Sequence, residues 1–385
     1  MQSMLDAGRI GIVNDSVQDI DYWTYNSNVS LSSTATVPEI PQCKDLNPYV
    51  LKGDGWIPQH IEIADRAVYT CIAIYMTFLF LFSTSFNGIV IAATYKFRVL
   101  RQPLNYIIVN LAVADFLGGG VGGFLSILTN ASGYFFLGKG LCYAEGYAVS
   151  LFGCAGLNSI AVMAFERYFV ICKPFGPVKV GAKAAAAGIF VAWAWSFFWN
   201  TPPLILWDGY EPEGLGTTCA PSWFVTEDSQ RLFIILYFVF AFLFPYAIIA
   251  VCYGKLILEL RQIAKESSLS GSKSPEKEVT KMVVIMVAAF VLCWLPYASF
   301  AMYNAVNPTA QMSYGLGAIP AFFAKSATIY NPIIYVKLNR QFRDCVIRMF
   351  FSGRNPWSDE GATSSMASVN SSQVTTVSTN KVGPA

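Results

Sequence analysis

Seven long apolar stretches are the feature of this sequence that most restricts its fold. A helix that crosses a membrane needs roughly 20 mainly apolar residues, and such stretches cover residues 68–95, 105–129, 141–171, 185–206, 230–256, 279–303 and 314–336. Only 13% of the residues are charged, whereas ordinary globular proteins have about 25%. We therefore predict an all-α membrane protein, with a bundle of seven transmembrane helices over residues 65–350.

The charges outside the spans predict how the chain is oriented. Lys and Arg are concentrated in the segments that follow spans 1, 3, 5 and 7. The opposite loops have few, and the longest of them is acidic, with Asp208, Glu211, Glu213, Glu227 and Asp228. Because cytoplasmic loops collect Lys and Arg, we expect the N-terminus outside the cell and the C-terminus in the cytoplasm. A net charge of only +2, without a basic block, argues against nucleic-acid binding.

Two polar tails and a short helix flank the predicted bundle. Residues 1–64 have no basic stretch followed by an apolar one, so we predict an extracellular tail without a cleavable signal peptide. Asn14 and Asn28 begin Asn-X-Ser sequences and are predicted glycosylation sites, although such sequences also arise by chance. In residues 338–350, apolar side chains recur every four residues and arginines lie elsewhere around the helix. This pattern predicts an amphipathic helix on the inner membrane face. Residues 351–385 are rich in Ser and Thr and are predicted to be disordered.

Lys325 is the most informative of the few ionisable residues inside the spans. It lies about ten residues from either end of the seventh span, roughly 15 Å deep at 1.5 Å per residue. A charge at mid-bilayer costs on the order of 2.5–3.5 kcal/mol, so it is a candidate functional residue. One interpretation is an ammonium paired with a neighbouring carboxylate. The other is an amine in a dry pocket that forms a Schiff base with a carbonyl ligand, since desolvation favours the neutral, nucleophilic amine.

Two carboxylates are candidates to balance a positive charge on Lys325. Glu145 lies at the outer end of the third span, and the Lys325 side chain leans outward because Cβ atoms tilt toward the helix N-terminus. Glu213 lies in the acidic outer loop, where the alternative is a solvated carboxylate. Cys142 and Cys219 both fall on the oxidising outer side. A disulfide between them would hold the loop that contains Glu213 over the third span.

Aromatic residues of the sixth span predict a ligand pocket. Phe290, Trp294 and Tyr297 repeat at i, i+4 and i+7, so they share one face of the helix. Pro296 lies beside them and removes a helix hydrogen bond, which permits a kink. Aromatic residues at such a place are often ordinary packing. Their shared face is also suited to wall a pocket for an elongated apolar ligand.

Short motifs in the spans carry a family resemblance. Glu166-Arg167-Tyr168 lies near the inner end of span 3, and Asn331-Pro332-Ile333-Ile334-Tyr335 closes span 7, with Asn87, Asp115, Trp193 and Pro245 in spans 1, 2, 4 and 5. Over residues 65–350 this pattern resembles the rhodopsin-like G-protein-coupled receptors. FFAKSATIYNPIIY, residues 322–335, is similar to the opsin signature, whose lysine the ligand-activated relatives lack. PLNYIIVNLAVADF, ERYFVICKPFG, EKEVTKMV and NRQFR resemble the ciliary, vertebrate-like opsins more than the rhabdomeric ones.

The resemblance implies a light-sensing receptor that carries retinal, 11-cis in the dark, on Lys325 as a protonated Schiff base. Glu145 aligns with the counterion of vertebrate visual pigments, and Glu213 aligns with that of many bistable relatives. The resemblance therefore leaves both carboxylates as candidate counterions. The implied pocket comprises Ser150, Gly153, Trp223, Phe242, Phe290, Trp294, Tyr297 and Ala321.

The same resemblance implies how a signal reaches the cytoplasm. Light isomerises the retinal, strain reaches Trp294, and span 6 swings outward. Arg167, which Glu166 and Glu276 hold in the dark, is then released to face a heterotrimeric G protein, expected to be of the Gi or transducin class. The other residues with implied roles in coupling are Tyr168, Tyr253, Asn331, Pro332 and Tyr335.

The C-terminal segment adds expectations about regulation. Ser and Thr residues from Ser358 to Thr379 are expected targets of a receptor kinase, whose phosphates would supply the charge that arrestin recognises. The alternative is an inert polar tail. Cys345 is a weaker candidate for palmitoylation, because the chain lacks the cysteine pair that many relatives carry after the inner helix. Cys154 replaces the glutamate of rod-type pigments, which argues against a rod rhodopsin.

Three functions remain open on the sequence alone. A signalling photoreceptor in a photoreceptor-cell membrane is expected first, and it would not be an enzyme. A retinal photoisomerase would use the same lysine, but it would not need the intact motifs at Glu166–Tyr168 and Asn331–Tyr335. A receptor for a diffusible ligand would not need Lys325.

Overall fold

The computed structural model describes residues 49–52, 55–58, 64–173, 181–207, 209–223, 227–266, 275–307 and 314–351. All of them belong to one compact unit, Asn47–Ala385. The predicted glycosylation sites Asn14 and Asn28 lie outside the described residues, and so does the predicted phosphorylated segment from Ser358 to Thr379.

Helices account for most of the described chain. Six helical segments are long and apolar enough to cross a membrane, and together with a divided seventh they correspond to the seven predicted spans. The helices are α1 (Arg66–Lys96), α2 (Pro103–Ser132), α3 (Gly138–Cys172), α4 (Ala182–Leu206), α5 (Asp228–Tyr237), α6 (Phe244–Glu266), α7 (Pro275–Val306), α8 (Tyr314–Lys325), α9 (Ala327–Leu338) and α10 (Arg340–Phe350). A π-helical segment, Phe238–Leu243, joins α5 to α6 within the fifth span.

The seventh span consists of two helices, although its composition predicts one continuous stretch. The amide and hydroxyl of Ser326 both donate to the carbonyl of Phe323, at 3.0 and 2.7 Å, which tightens the chain into a turn after Lys325. Pro332 has no amide hydrogen for the carbonyl of Thr328, four residues earlier. That carbonyl instead accepts a 2.9 Å hydrogen bond from the side chain of Asn87 in α1.

The third helix runs through the middle of the bundle and packs against α2, α4, α6 and α7. Its buried residues include Leu157, Ile160 and Met163, which form a core cluster with residues such as Met286 of α7 and Tyr335 of α9. Large apolar side chains remain on the outer surface of the bundle, as a lipid-facing surface requires. Because α3 packs against helices on several sides, it fixes the side chains of those helices relative to one another.

A β-hairpin covers the end of the bundle near the start of α3. It consists of β3 (Tyr210–Glu213) and β4 (Thr218–Pro221), after the antiparallel pair β1 (Tyr49–Lys52) and β2 (Gly55–Pro58) near the start of the described chain. Glu213 lies opposite Thr218 in this hairpin. As predicted, Cys142 and Cys219 form a disulfide, with their Cα atoms 5.3 Å apart. The bond holds the strand beside Glu213 against the start of α3.

The predicted amphipathic helix after the seventh span is present as α10. The side chain of Asn339 caps it by accepting a 3.3 Å hydrogen bond from the amide of Phe342. Phe342 is fully buried and lies 6.5 Å, centroid to centroid, from the ring of Tyr335. Cys345, the predicted palmitoylation candidate, is buried too, so an acyl chain there would require the thiol to leave its packing.

Candidate functional site

Lys325 lies at the end of α8, where it contacts three other elements. Its Nζ atom donates to Glu145 Oε1 of α3 at 3.0 Å and to Ser126 Oγ of α2 at 2.9 Å. It also donates to the hydroxyl of Thr218 in β4. Only 10% of the Lys325 side chain is exposed, and none of Glu145 is. The structure therefore contains a buried ion pair between these two residues.

Glu145 is held by donors from several directions. Its Oε1 atom accepts from Thr218 Oγ1 at 2.9 Å and from Ser126 Oγ at 3.2 Å, and its Oε2 atom accepts from the amide of Cys219 at 3.2 Å. Hydrogen bonds to the charged form of a carboxylate stabilise that form. The carboxylate of Glu145 is thus held in place beside Lys325 by donors from α2 and β4.

Sequence reasoning missed Ser126 and Thr218. A hydroxyl in an apolar helix, such as Ser126, usually bonds its own backbone, so it gave no signal. Thr218 did give one, because it precedes Cys219, and the disulfide partner Cys142 is three residues from Glu145. A residue next to Cys219 therefore had to lie close to that carboxylate.

Glu213 is a partner of Tyr297 rather than a free loop carboxylate. The hydroxyl of Tyr297 donates to Glu213 Oε2 at 2.8 Å, and Trp223 Nε1 donates to that hydroxyl at 2.9 Å. Loss of hydration raises the pKa of Glu213 to about 7, although the hydrogen bond from Tyr297 and the charge of Lys325 oppose the rise. Glu213 is thus poised to change charge near neutral pH, whereas Glu145 makes the direct ion pair.

Two adjoining cavities lie beside Lys325. Both are bordered by Gly153, Phe290 and Trp294. The one nearer Lys325 also reaches Asp115 and Thr328. The lining of the other contains Ser150, Gly153, Cys154, Leu157, Trp223, Ile234, Tyr237, Phe238, Ala241, Phe242, Phe290, Trp294, Tyr297, Ala298, Ala301 and Met302.

Seven of the eight predicted pocket residues line the larger apolar cavity. The eighth, Ala321, is buried in α8, one turn before Lys325, and borders neither cavity. The rings of Phe290 and Trp294 stack with centroids 5.7 Å apart, and Trp294 meets Tyr297 at 6.2 Å. These aromatic residues therefore form a continuous wall that leads toward Glu213.

A small polar cluster at the cavity wall also escaped sequence reasoning. Cys154 Sγ lies 3.4 Å from the hydroxyl of Tyr237, which donates to Asn200 Oδ1 at 3.0 Å. Cys154 and Tyr237 line the cavity, and Asn200 comes from α4. Helix periodicity places each residue on a face, but it does not tell which faces of α3, α4 and α5 meet.

The predicted coupling residues at the end of α3 make contacts of their own. Arg167 pairs with the adjacent Glu166, and both side chains are largely buried. The ring of Tyr168 lies 5.8 Å from the ammonium of Lys255. The side chain of Glu276, the other predicted partner of Arg167, lies outside the described residues, although its backbone is in α7.

Two of the predicted coupling tyrosines, Tyr253 and Tyr335, are buried. Within the described part of the chain, the hydroxyls of Tyr253 and Tyr335 have no hydrogen-bond partner. A buried hydroxyl without a partner costs free energy, so both groups would gain from a rearrangement that supplies one. The remaining predicted residues, Asn331 and Pro332, are buried in α9, where Asn331 Nδ2 donates to Asp115 at 2.8 Å.

Comparison with known protein families decides what kind of protein this is. The sequence family described as "7 transmembrane receptor (rhodopsin family)" matches residues 86–335. Parapinopsin of Ictalurus punctatus is 46% identical over 298 residues, which cover 77% of this chain and 86% of that protein. The chain is an opsin of the rhodopsin receptor family.

Other relatives agree with this assignment. Pinopsin of Columba livia is 40% identical over 327 residues, 85% of this opsin and 92% of that protein. The crystal structure of squid rhodopsin superposes with a TM-score of 0.73 at 25% identity, and covers 85% of this chain and 97% of its own. The predicted ciliary or non-visual opsin resemblance is therefore confirmed. This opsin is a multi-pass membrane receptor and not an enzyme.

Proposed function

We propose that this opsin is a light-activated G-protein-coupled receptor that holds retinal covalently on Lys325 as a Schiff base. The observation that carries the proposal is the Lys325 amine, which ends an apolar, aromatic-walled cavity and lies 3.0 Å from the buried carboxylate of Glu145. An amine suits an aldehyde, and the carboxylate suits the cation that their condensation gives.

The residues around Lys325 fit such a group. Retinal is an elongated apolar aldehyde, and the two adjoining cavities offer apolar walls that continue from Lys325 past Trp294 to Phe242. When bound, retinal supplies light absorption and a light-driven isomerisation, from the 11-cis form in the dark. Among the predicted pocket residues, Ser150 would also offer a hydroxyl to it.

We propose Glu145 as the counterion and Glu213 as an alternative that gains charge at higher pH. Glu145 is in direct contact with Lys325 and accepts hydrogen bonds from Ser126, Thr218 and the Cys219 amide. Glu213 reaches the site through Tyr297 and is predisposed to hold a proton near neutral pH. The geometry thus favours Glu145 in the resting site.

The inner end would transmit the signal. We expect Trp294, which borders both cavities, to pass a change in the ligand to α7, and we expect Arg167 to leave Glu166 and face a G protein of the Gi or transducin class. Tyr253 and Tyr335 would then bond to newly exposed polar groups, and Tyr168, Asn331, Pro332 and Glu276 would support coupling. A receptor kinase and arrestin would act on Ser358–Thr379, with the C-terminus cytoplasmic and the N-terminus extracellular in a photoreceptor-cell membrane.

Light-dependent nucleotide exchange tests the signalling function. The retinal-loaded receptor should accelerate exchange on a Gi-class or transducin heterotrimer at least tenfold under illumination, because the Glu166–Arg167 pair and the Asn331–Tyr335 motif serve a cytoplasmic partner. The dark-kept receptor is the control. Release of isomerised retinal without any exchange would show a photoisomerase, and exchange driven by a diffusible ligand without retinal would show the other rival.

Gly153 should be required for the cavity that this proposal needs. A Cβ atom at Gly153 would lie 3.0 Å from two atoms of the Trp294 ring, so a larger side chain must displace that ring. We expect Gly153→Leu to reduce the yield of retinal pigment about tenfold or more, measured as absorbance per folded receptor. Gly254→Leu is the matched control, because a Cβ there meets open space. Equal pigment yields in both variants would contradict the assigned cavity.

A further inference from the structure

Glu211 is an acidic residue of the outer hairpin to which the mechanism above gives no task. It lies in β3 opposite Ala220 and two residues before Glu213. Because alternate residues of a strand point to the same side, Glu211 and Glu213 share one face of the hairpin with Ala220 and Thr218. This is the face from which the hydroxyl of Thr218 contacts Lys325.

Three carboxylates therefore follow one another beside a single cation in the described part of the site. Glu145 contacts Lys325 directly, Glu213 lies opposite Thr218, and Glu211 is about 7 Å farther along β3, at about 3.4 Å per residue. If all three acids were ionised, negative charges would exceed positive ones by two in a region of low hydration. Such an excess is costly, so a proton on one of the hairpin acids is expected.

The surroundings of the two hairpin acids support this expectation. Burial raises the pKa of each to about 7. A hydrogen bond from Ser222 lowers the pKa of Glu211, whereas the negative charges of Glu145 and Glu211 raise that of Glu213.

Among the described residues, Lys325, Glu145 and Tyr297 also act on Glu213, and three tyrosines lie at the hairpin as well. Tyr210 of β3 meets the rings of Tyr143 and Tyr147 of α3 on the opposite face of the strand. These phenols therefore lie on the other side of the strand from the two acids.

We propose that Glu211 is a positioning residue that acts on Lys325 through Glu213. The charge of the Glu211 carboxylate controls whether Glu213 is protonated. The pH of the outer medium thereby sets the charge that Glu213 presents to Lys325. Glu211 is only partly buried, so its proton can exchange with the outer medium. The carboxylate of Glu213, in contrast, accepts a hydrogen bond from Tyr297, which lines the cavity. The inference rests on the proposed function, because the cation that Glu213 faces is the one proposed to bear retinal.

An infrared titration tests the role of Glu211. In the full-length receptor, the carboxyl C=O band of protonated Glu213 is identified as the band that Glu213→Gln removes, and its midpoint should lie near neutral pH. Glu211→Gln removes a nearby negative charge and thereby favours ionised Glu213. The midpoint should therefore fall by about one pH unit, given two charges about 7 Å apart in a partly hydrated site.

A matched variant separates a specific effect from a general loss of charge. Glu227→Gln removes an exposed acid from the same outer connection and should leave the midpoint in place. If Glu211→Gln does not fold, Ser222→Ala makes the same test, because without the serine hydroxyl Glu211 keeps its proton to higher pH. An unchanged Glu213 midpoint in the folded Glu211→Gln variant, or in Ser222→Ala, would overturn the proposal.

The outcome is distinguishable from failure of the proposed function. The carboxyl band is read with or without retinal, whereas failure of the wild-type receptor to form a pigment would refute the retinal proposal alone. In the loaded receptor, Glu211→Gln should shift the pH midpoint of any absorption change, but not in a Glu213→Gln background. A shift that persists without Glu213 would mean that Glu211 acts by another route, which contradicts the proposal.

Discussion

Replacing Lys325 with Ala is expected to abolish the visible or ultraviolet band of the retinal-reconstituted receptor. Lys325 is the only lysine that lines either of the two cavities described above. Without the Lys325 amine, the lining of these cavities offers no other lysine with which retinal could form a Schiff base. The measurement is an absorption spectrum after reconstitution, together with borohydride reduction, which should link retinal to the wild-type chain and not to Lys325→Ala.

The same substitution should also weaken the fold, which calls for controls. Removing Lys325 leaves Glu145 buried without its cation, and breaking a buried pair in this way costs about 3–5 kcal/mol. The double variant Lys325→Met/Glu145→Gln carries no unpaired charge, so it should recover thermal stability and still lack the band. Lys337→Ala removes an exposed lysine of α9 and should keep the band. A pigment that survives both Lys325→Ala and borohydride would refute the attachment site.

Glu145→Gln is expected to move the absorption of the pigment into the ultraviolet at neutral pH. The carboxylate lies 3.0 Å from the nitrogen that would carry the positive charge. Two unit charges about 4 Å apart interact by about 4 kcal/mol at an effective dielectric constant of 20, which corresponds to about three pH units. The pH at which the visible band is lost should therefore fall by about that amount, as a spectral titration would measure.

Glu213→Gln is the informative comparison for that experiment. Glu213 contacts Tyr297 rather than Lys325, so its loss should change the pH midpoint of the visible band by less than one unit. The opposite ranking, with a larger effect of Glu213→Gln, would assign the counterion to the hairpin. Thr218 donates to Glu145 and lies opposite Glu213 in the hairpin. Thr218→Val would then show how far the Thr218 hydroxyl holds the two carboxylates in place.

Sequence patterns predicted the parts of this receptor that depend on local chemistry. Apolar length placed the seven spans, and i, i+4, i+7 spacing placed Phe290, Trp294 and Tyr297 on one wall, because helix geometry is the same everywhere. The depth of Lys325 marked it as exceptional without reference to any neighbour. The opsin motif then gave that lysine a chemical role that depth alone left open.

Contacts between distant segments were beyond the sequence patterns. Ser126 is one hydroxyl among many in the spans, and only the approach of α2 to α8 makes it a partner of Lys325. Glu211 and Glu213 look like solvated loop acids until the hairpin register places them on the face that meets Lys325. The break at Ser326 depends on a side chain bonding back to its own helix, which apolar length does not reveal.

That break has a mechanical consequence. It divides the seventh span into two helical rods of 12 residues each, with Lys325 at the end of α8 and the Asn331–Tyr335 motif in α9. A continuous helix would have to lose ladder hydrogen bonds before it could bend. Here the ladder is already interrupted at the joint, so a push at Lys325 can change the angle between the rods at low cost. Lys325 and the Asn331–Tyr335 motif thus lie on opposite arms of one hinge.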